Sequence, residues 1–327
     1  MTTLVPPAPV LPASPAPARP LPLGRLVRAE LRRLLSPRPV RWSLYALPVL
    51  LLLFAAAAFL AHDTDVSAAW NAAEEAHRRY AEEAARRPAG SVEQLSPRYF
   101  FDDPRYQMAK ASFVDLRAVC SGLALGALVF GIHSGGGDWS SRVVLTLASA
   151  EPRRLRLFAV RGALTAAVAA VVTLLTAILL VPLLLAVARH RGTLAGTDAH
   201  YWQVLAVIVV RAAAFVGAVA LLGHALGMLT RSLVPALGCA LAYLVAAERL
   251  VQDYAPSLTE FHLSGIAFAV LNEQLLMSRD KTDCVGEIAC LTMREGTTAT
   301  EAFLGLACYV VPVVALAATR FVRRDIT

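Results

Sequence analysis

Six stretches of the chain carry apolar residues almost without interruption, near 42–61, 113–133, 158–187, 202–229, 233–252 and 303–320. Their apolar positions neither alternate nor keep to one helical stripe. A helix that is apolar on every side is buried in a core or in lipid. About 20 such residues at ~1.5 Å each cross the ~30 Å hydrocarbon layer of a bilayer. The pattern predicts six transmembrane helices. The third stretch exceeds what a bilayer needs, so tilt or projection is expected, with Pro182 placed to kink it. Residues 230–232 leave room only for a tight turn, which makes the fourth and fifth spans an antiparallel hairpin.

The segments between these blocks read differently. Residues 1–22 hold eight prolines and a single charge, Arg19. Proline at that density blocks helix and ladder alike, so a disordered or polyproline-like tail is expected. It lacks the basic start and unbroken apolar run of a secretory signal peptide. In 23–41, Leu23, Leu26, Leu31, Leu34 and Leu35 gather near one helical face, while Arg25, Arg28, Arg32 and Arg33 supply charge. Such a helix lies in the membrane interface, although a plain basic flank of the first span would carry the same arginines. Within 71–87, Glu74–Arg78, Glu75–Arg79, Glu82–Arg86 and Glu83–Arg87 fall at i,i+4. That spacing supports a solvent-exposed helix of about five turns. The stretch 264–277 is semi-apolar but too short and interrupted to span, which suits a re-entrant or interfacial helix.

Composition and charge sharpen this picture. Of 327 residues, 57% are hydrophobic and 17% charged, with mean hydropathy +0.56, against roughly 25% charged in soluble globular proteins. A large soluble enzyme, a disulfide scaffold and a disordered chain are disfavoured. The net charge of +7 sits in short segments flanking the apolar blocks, which argues for an orientation signal and against a nucleic-acid partner. With the N-terminus inside, the inner side collects seven arginines in 1–41, four in 134–157, then Arg231, Arg320, Arg323 and Arg324. The outer connection 188–201 holds only Arg189 and Arg191, 62–112 is net acidic, and 253–302 carries three basic residues against eight acidic. Both termini are thus expected in the cytoplasm. The reading is an all-α integral membrane protein: a tail over 1–22, an amphipathic interfacial helix over 23–41, and a six-helix transmembrane domain over 42–327 with sizeable outer loops at 62–112 and 253–302.

Candidate chemistry is sparse. The chain has no GxxxxGK[ST] loop, no HExxH and no GxSxG, so neither ATP binding through that loop nor catalysis is assigned. EEAHRR and EEAARR fit the EExxxR pattern of a family of intramembrane proteases, but they lie in a polar loop where that chemistry needs a span. An intramembrane enzyme is the weakest reading. His133, His224 and His262 are isolated and read as packed polar groups. Gly135–Gly136–Gly137 only superficially resembles a phosphate cradle. Cys120, Cys239 and Cys308 fall in apolar blocks and behave as small hydrophobes. Cys284 and Cys290, six apart in an outer loop, can close a disulfide ring or remain two free thiols; no metal-ligand spacing occurs.

Charge inside a span is costly and faces a partner or cavity. Arg211 and Glu248 lie ~27 and ~22 Å from the inner ends of spans four and five. An Arg211–Glu248 pair that locks the hairpin or lines a passage is expected, with snorkelling to the outer surface as the alternative. Gly122–Gly126 and Gly223–Gly227 have the GxxxG spacing that permits close helix contact. Asp115 and Arg117, near the outer mouth of span two, can meet a substrate or only boundary water.

The densest segment is 131–161, GIHSGGGDWSSRVVLTLASAEPRRLRLFAVR, expected on the inner side. Its glycines permit a sharp exit from the membrane, and Asp138 is placed to cap a helix starting at Trp139. That helix runs to about Ser149, and Glu151–Pro152 breaks it. A solvated connection is the plainer reading. On Trp139, Leu145, Thr146, Leu147 and Glu151–Pro152–Arg153–Arg154, the chain resembles the permease subunits of ABC-2-type transporters, particularly those of high-GC bacteria. The helix before span one, the six-span layout and the ending RFVRRDIT extend the likeness. It departs at His133–Ser134–Gly135, where many such permeases carry an acidic pair.

The resemblance implies that 138–154, with Asp138, Trp139, Arg142, Glu151, Pro152, Arg153 and Arg154, is a coupling region docking into a separate ATP-hydrolysing subunit. ATP and Mg would be bound by that partner, with no cofactor and no enzyme activity on this chain. It further implies a dimer with a second copy or homologue in a bacterial plasma membrane, exporting an amphiphilic, lipid-like or drug-like substrate. The alternative is a non-transporting anchor or sensor acting through 62–112.

Overall fold

The computed structural model describes residues 22–86, 95–140, 154–254, 261–272, 277–278, 292–293 and 298–323. In chain order the elements are α1 (Leu23–Leu35), α2 (Arg38–Ala61), α3 (Ser67–Ala85), a 3-10 turn at Pro97–Phe100, β1 (Tyr106–Gln107), α4 (Met108–Ser140), α5 (Arg154–Arg191), β2 (Gly192–Thr193), α6 (Ala199–Thr230), α7 (Leu233–Ala242), a π-helical turn at Tyr243–Ala247, α8 (Glu248–Tyr254), α9 (Leu263–Asn272), β3 (Met277–Ser278), β4 (Thr292–Met293) and α10 (Ala299–Arg323). Each expected span falls within α2, α4, α5, α6, the continuous α7–α8 or α10, all long and apolar enough to cross a membrane. With 33 and 38 residues, α4 and α5 reach ~50 and ~57 Å, well beyond a ~30 Å hydrocarbon layer. The helical run of α5 continues through Pro182. The tail over 1–21 and the Cys284–Cys290 pair lie outside the described residues.

Packing centres on α6, around which α4, α5, α9 and α10 are arranged. Leu128 and Ile132 of α4, Val216 and Ala220 of α6, and Leu306 and Val310 of α10 share one apolar cluster. A second joins Leu116 of α4, Leu180 and Leu184 of α5, and Leu205 and Ile208 of α6. By contrast α2 buries only Leu51 and Ala55, and α7 only Ala236. Their remaining apolar side chains are those a lipid-facing helix presents.

The closest helix contact is α4 on α6. A Cβ at Gly131 would sit on the carbonyl oxygen of Ala220, and one at Gly135 on that of His224. Conversely, Gly223 lies against the Leu128 carbonyl and Gly227 against that of Ile132. Small residues let two helical backbones approach this far, and the Gly223–Gly227 spacing is used here within the chain. This packing overturns one expectation. The glycines at 135–137 do not turn the chain out of its helix, and no helix starts at Trp139; α4 runs unbroken to Ser140, so the backbone of Asp138 lies inside it and not at a helix start. Gly135 packs on Met228, and Gly136 on the Ser232–Leu233 backbone. These contacts offset the roughly 0.5–1 kcal/mol that glycine costs in a helix.

The short α6–α7 turn is made by Arg231, whose left-handed backbone (φ 56°) lets its N–H donate to Gly227 O at 3.0 Å. Since successive spans reverse direction, α1, the last turn of α4, the first of α5, this α6–α7 turn and the last turn of α10 share one end of the bundle. Arginines crowd there, and we call it the basic end. At the opposite end β1 pairs in parallel with β2, and Arg191 joins Asp63 at 3.5 Å. There α3 forms the expected polar helix of about five turns, with Glu75 paired to Arg79, and Trp70 stacks on Phe101 at 4.3 Å.

Candidate functional site

Charged and polar side chains converge inside the basic end. Helix α1 buries Leu26, Glu30 and Leu34, positions four apart that form one helical stripe. The middle of that stripe is a carboxylate. Glu30 faces Arg161 of α5 at 3.6 Å, and their side chains are only 3% and 2% exposed. Arg33, one turn on, lies 3.4 Å from the same carboxylate. Burial pulls the Arg33 guanidinium below its usual pKa, and Glu30 works against that shift.

Arg161 in turn donates to the Ser134 carbonyl of α4 at 3.0 Å. The Ser134 hydroxyl lies 2.9 Å from Nδ1 of His224 in α6 and 3.1 Å from the Thr165 hydroxyl of α5. It also sits 2.9 Å from the Gly131 carbonyl. When Ser134 donates to Gly131, His224 must carry its proton on Nδ1. Nε2 of His224 then has no hydrogen-bond partner among the described residues. The cluster ties α1, α4, α5 and α6 together through groups that would be costly to bury singly.

Trp139 lies beside this cluster. The Arg231 guanidinium sits 4.3 Å from its ring centroid, and Phe321 of α10 meets it edge-on at 6.3 Å. The indole packs against the group formed by Leu26, Phe158, Met228 and Phe321. Trp139 is therefore a packing residue joining α4, α6 and α10. Of the other residues expected in a coupling region, Arg154 opens α5, while Arg142, Glu151, Pro152 and Arg153 lie outside the described residues.

Next to the cluster is an apolar cavity of about 530 Å³ between the first half of α2 and the facing sides of α4 and α5. It exists because α2 is pinned to the bundle only further along, at Leu51 and Ala55. His133, Ser43 and Thr173 are the polar residues in its wall. Ser43 and Thr173 turn their hydroxyls back to the carbonyls of Pro39 and Ala169 on their own helices. Gly122 and Gly126 face open space there.

The intramembrane pair expected at Arg211 and Glu248 is not among the ion pairs of the described residues. The buried Glu248 carboxylate instead accepts from the backbone N–H of Ser264 at 3.3 Å. It thereby serves the N-terminus of α9, where a helix presents unsatisfied N–H groups and a positive dipole end. α9 packs against α6 and α10. Tyr309 holds the same connection, donating to Phe261 O and accepting from Tyr243, each at 2.9 Å. Near the mouth of α4, Asp115 accepts from Tyr106 at 2.6 Å, and Arg117 lies over Phe268 at 4.9 Å. Both charges are engaged within the protein.

Glu30, Arg161 and Thr165 are not among the residues the sequence singles out, and Ser134 enters there only as a departure from the permease pattern. A signal was present for two of them: Glu30 is the only acidic residue of α1 and falls midway between Leu26 and Leu34, and Arg161 lies inside the third apolar block. Among the described residues no three His, Cys, Asp or Glu side chains gather as a metal site. Comparison with protein-family models, with curated proteins and with solved structures gave no match.

Proposed function

We propose that the chain is the membrane-spanning permease subunit of an ATP-driven transporter, exporting an amphiphilic, lipid-like substrate with energy from a separate ATPase subunit. The reading is supported most by the way the basic end is built. The helices on either side of 141–153, α4 and α5, are longer than a bilayer requires. Both are fastened at that end to α1 and α6 by the Glu30–Arg161–Ser134–His224 chain and by the glycine contacts. A force applied through 141–153 would then shift packed helices as one body, because close-packed interiors transmit strain. The motif likeness over 139–154 supplies the identity of the motor.

Since Trp139 is packed inside, the docking surface would be formed by 141–153. The test is co-purification from native membranes. The tagged chain should bring down a nucleotide-binding subunit, and Arg142→Ala with Arg153→Ala should weaken its retention without lowering the melting temperature. A chain that purifies without an ATPase, or variants that retain it fully, would end this reading. The anchor or sensor alternative draws on the folded outer module, where Trp70 stacks on Phe101. It requires function to survive loss of 141–153 contacts and to fail on removal of α3.

A further inference from the structure

We infer that the apolar cavity between α2, α4 and α5 binds an acyl chain of an anionic phospholipid from the leaflet at the basic end. The site belongs to this chain alone and does not rest on the transport reading. Its dimensions match one leaflet. Along α2 the lining runs from Pro39 to Leu47, with Leu35 at the end of α1 ahead of it, and along α4 from Gly122 to His133, ~12 and ~17 Å of helix respectively. One leaflet contributes half of a ~30 Å hydrocarbon layer. The volume of about 530 Å³ is that of a ligand-sized cavity. Its wall offers hydrocarbon, from residues such as Leu44, Leu47, Phe130, Val168 and Val172, and the Ser43 and Thr173 hydroxyls are already engaged by their own helices.

Charge selects the headgroup. Arg38 and Arg41 are exposed at the start of α2, beside the lining residues Pro39 and Val40. Arg25, Arg28 and Arg32 are exposed on the adjoining α1. The only acidic residue between 22 and 61 is Glu30, and it is buried against Arg161 and Arg33. The mouth is therefore lined on its α1 and α2 side by exposed arginines and by no exposed carboxylate of those two helices, which favours an anionic lipid by about fivefold for each arginine at the membrane surface. Trp42, exposed at the same level, is an aromatic of the kind found at the headgroup boundary.

The experiment places the full-length chain in bilayer nanodiscs with spin-labelled phosphatidylglycerol or phosphatidylcholine and measures the motionally restricted fraction. Phosphatidylglycerol should be restricted in preference to phosphatidylcholine, and Arg38→Gln and Arg41→Gln should each lower that preference about fivefold. Gly126→Leu projects its side chain into open space, so it should remove the restricted component while leaving the melting temperature unchanged. Gly122→Leu is the second filling variant, in case the first disturbs folding. Gly238→Leu, on the exposed side of α7, should change nothing. Equal restriction of both lipids overturns the proposal. So does a preference that survives both filling variants, or a cavity closed by a second copy of the chain, seen as dimer loss on filling without any lipid signal.

Discussion

Replacing Glu30 by alanine removes the only carboxylate of α1 and with it a counter-charge 3.6 Å from the Arg161 guanidinium, which is 2% exposed. Removing one partner of a buried ion pair costs about 3–5 kcal/mol. The 3.6 Å separation is longer than a strong charge-assisted hydrogen bond, so the lower figure, about 3 kcal/mol, applies. Leu26 and Leu34 still bury against the bundle, worth roughly 1.5–3 kcal/mol each. The expected result is local release of α1 while the six spans stay folded. Trypsin reads this directly, since Arg25, Arg28, Arg32 and Arg33 all lie in α1. A 3 kcal/mol loss raises the open population, and the cleavage rate at those arginines, about 100-fold. The double variant Glu30→Leu with Arg161→Met should recover most of the protection, because apolar residues of similar volume often replace a buried pair without loss. If Glu30→Ala is cleaved no faster than the parent, the pair does not hold α1. If the double variant is cleaved as fast as the single, the ion pair is the wrong cause.

Three further outcomes follow from the packing and from the loop chemistry. Gly131→Val and Gly227→Val drive side chains into the opposing helix backbone and should lower the melting temperature by the equivalent of more than about 3 kcal/mol, or abolish folded expression; Gly238→Ala, with nothing within 4 Å, should be neutral or stabilise by about 0.5–1 kcal/mol. Tyr106→Phe removes the donor to Asp115 and should cost about 1–3 kcal/mol in thermal unfolding, because the carboxylate loses its partner. The Asp103 carboxyl is held below its ordinary range by the Arg105 side-chain hydrogen bond, so its contribution is present above the unfolded pKa of about 3.9 and is lost as pH falls through the lower folded value. Pepsin cleavage of the 95–107 segment should therefore quicken as pH drops below about 4 in the parent and stay level in Arg105→Gln.

Hydropathy over blocks of about 20 residues already determines that six helices are long and apolar enough to cross a membrane, because span length depends only on helix rise and bilayer thickness. The polar helix after span one was equally legible, since its i,i+4 Glu–Arg spacing is a local property. What lies between helices was not. The glycines at 135–137 look like a turn because glycine frees the backbone, yet Gly135 and Gly136 serve close approach to α6 and the α6–α7 turn, a property of the neighbour. Arg211 and Glu248 lie at similar depth along their helices, but helix rise says nothing about rotation or about the backbone N–H of Ser264 that Glu248 accepts from. Glu30 meets Arg161 across more than 130 positions of sequence, and Ser134 meets His224 across 90. A buried charge has to find its counter-charge in space, and only the packed arrangement of α1, α4, α5 and α6 decides which one it finds.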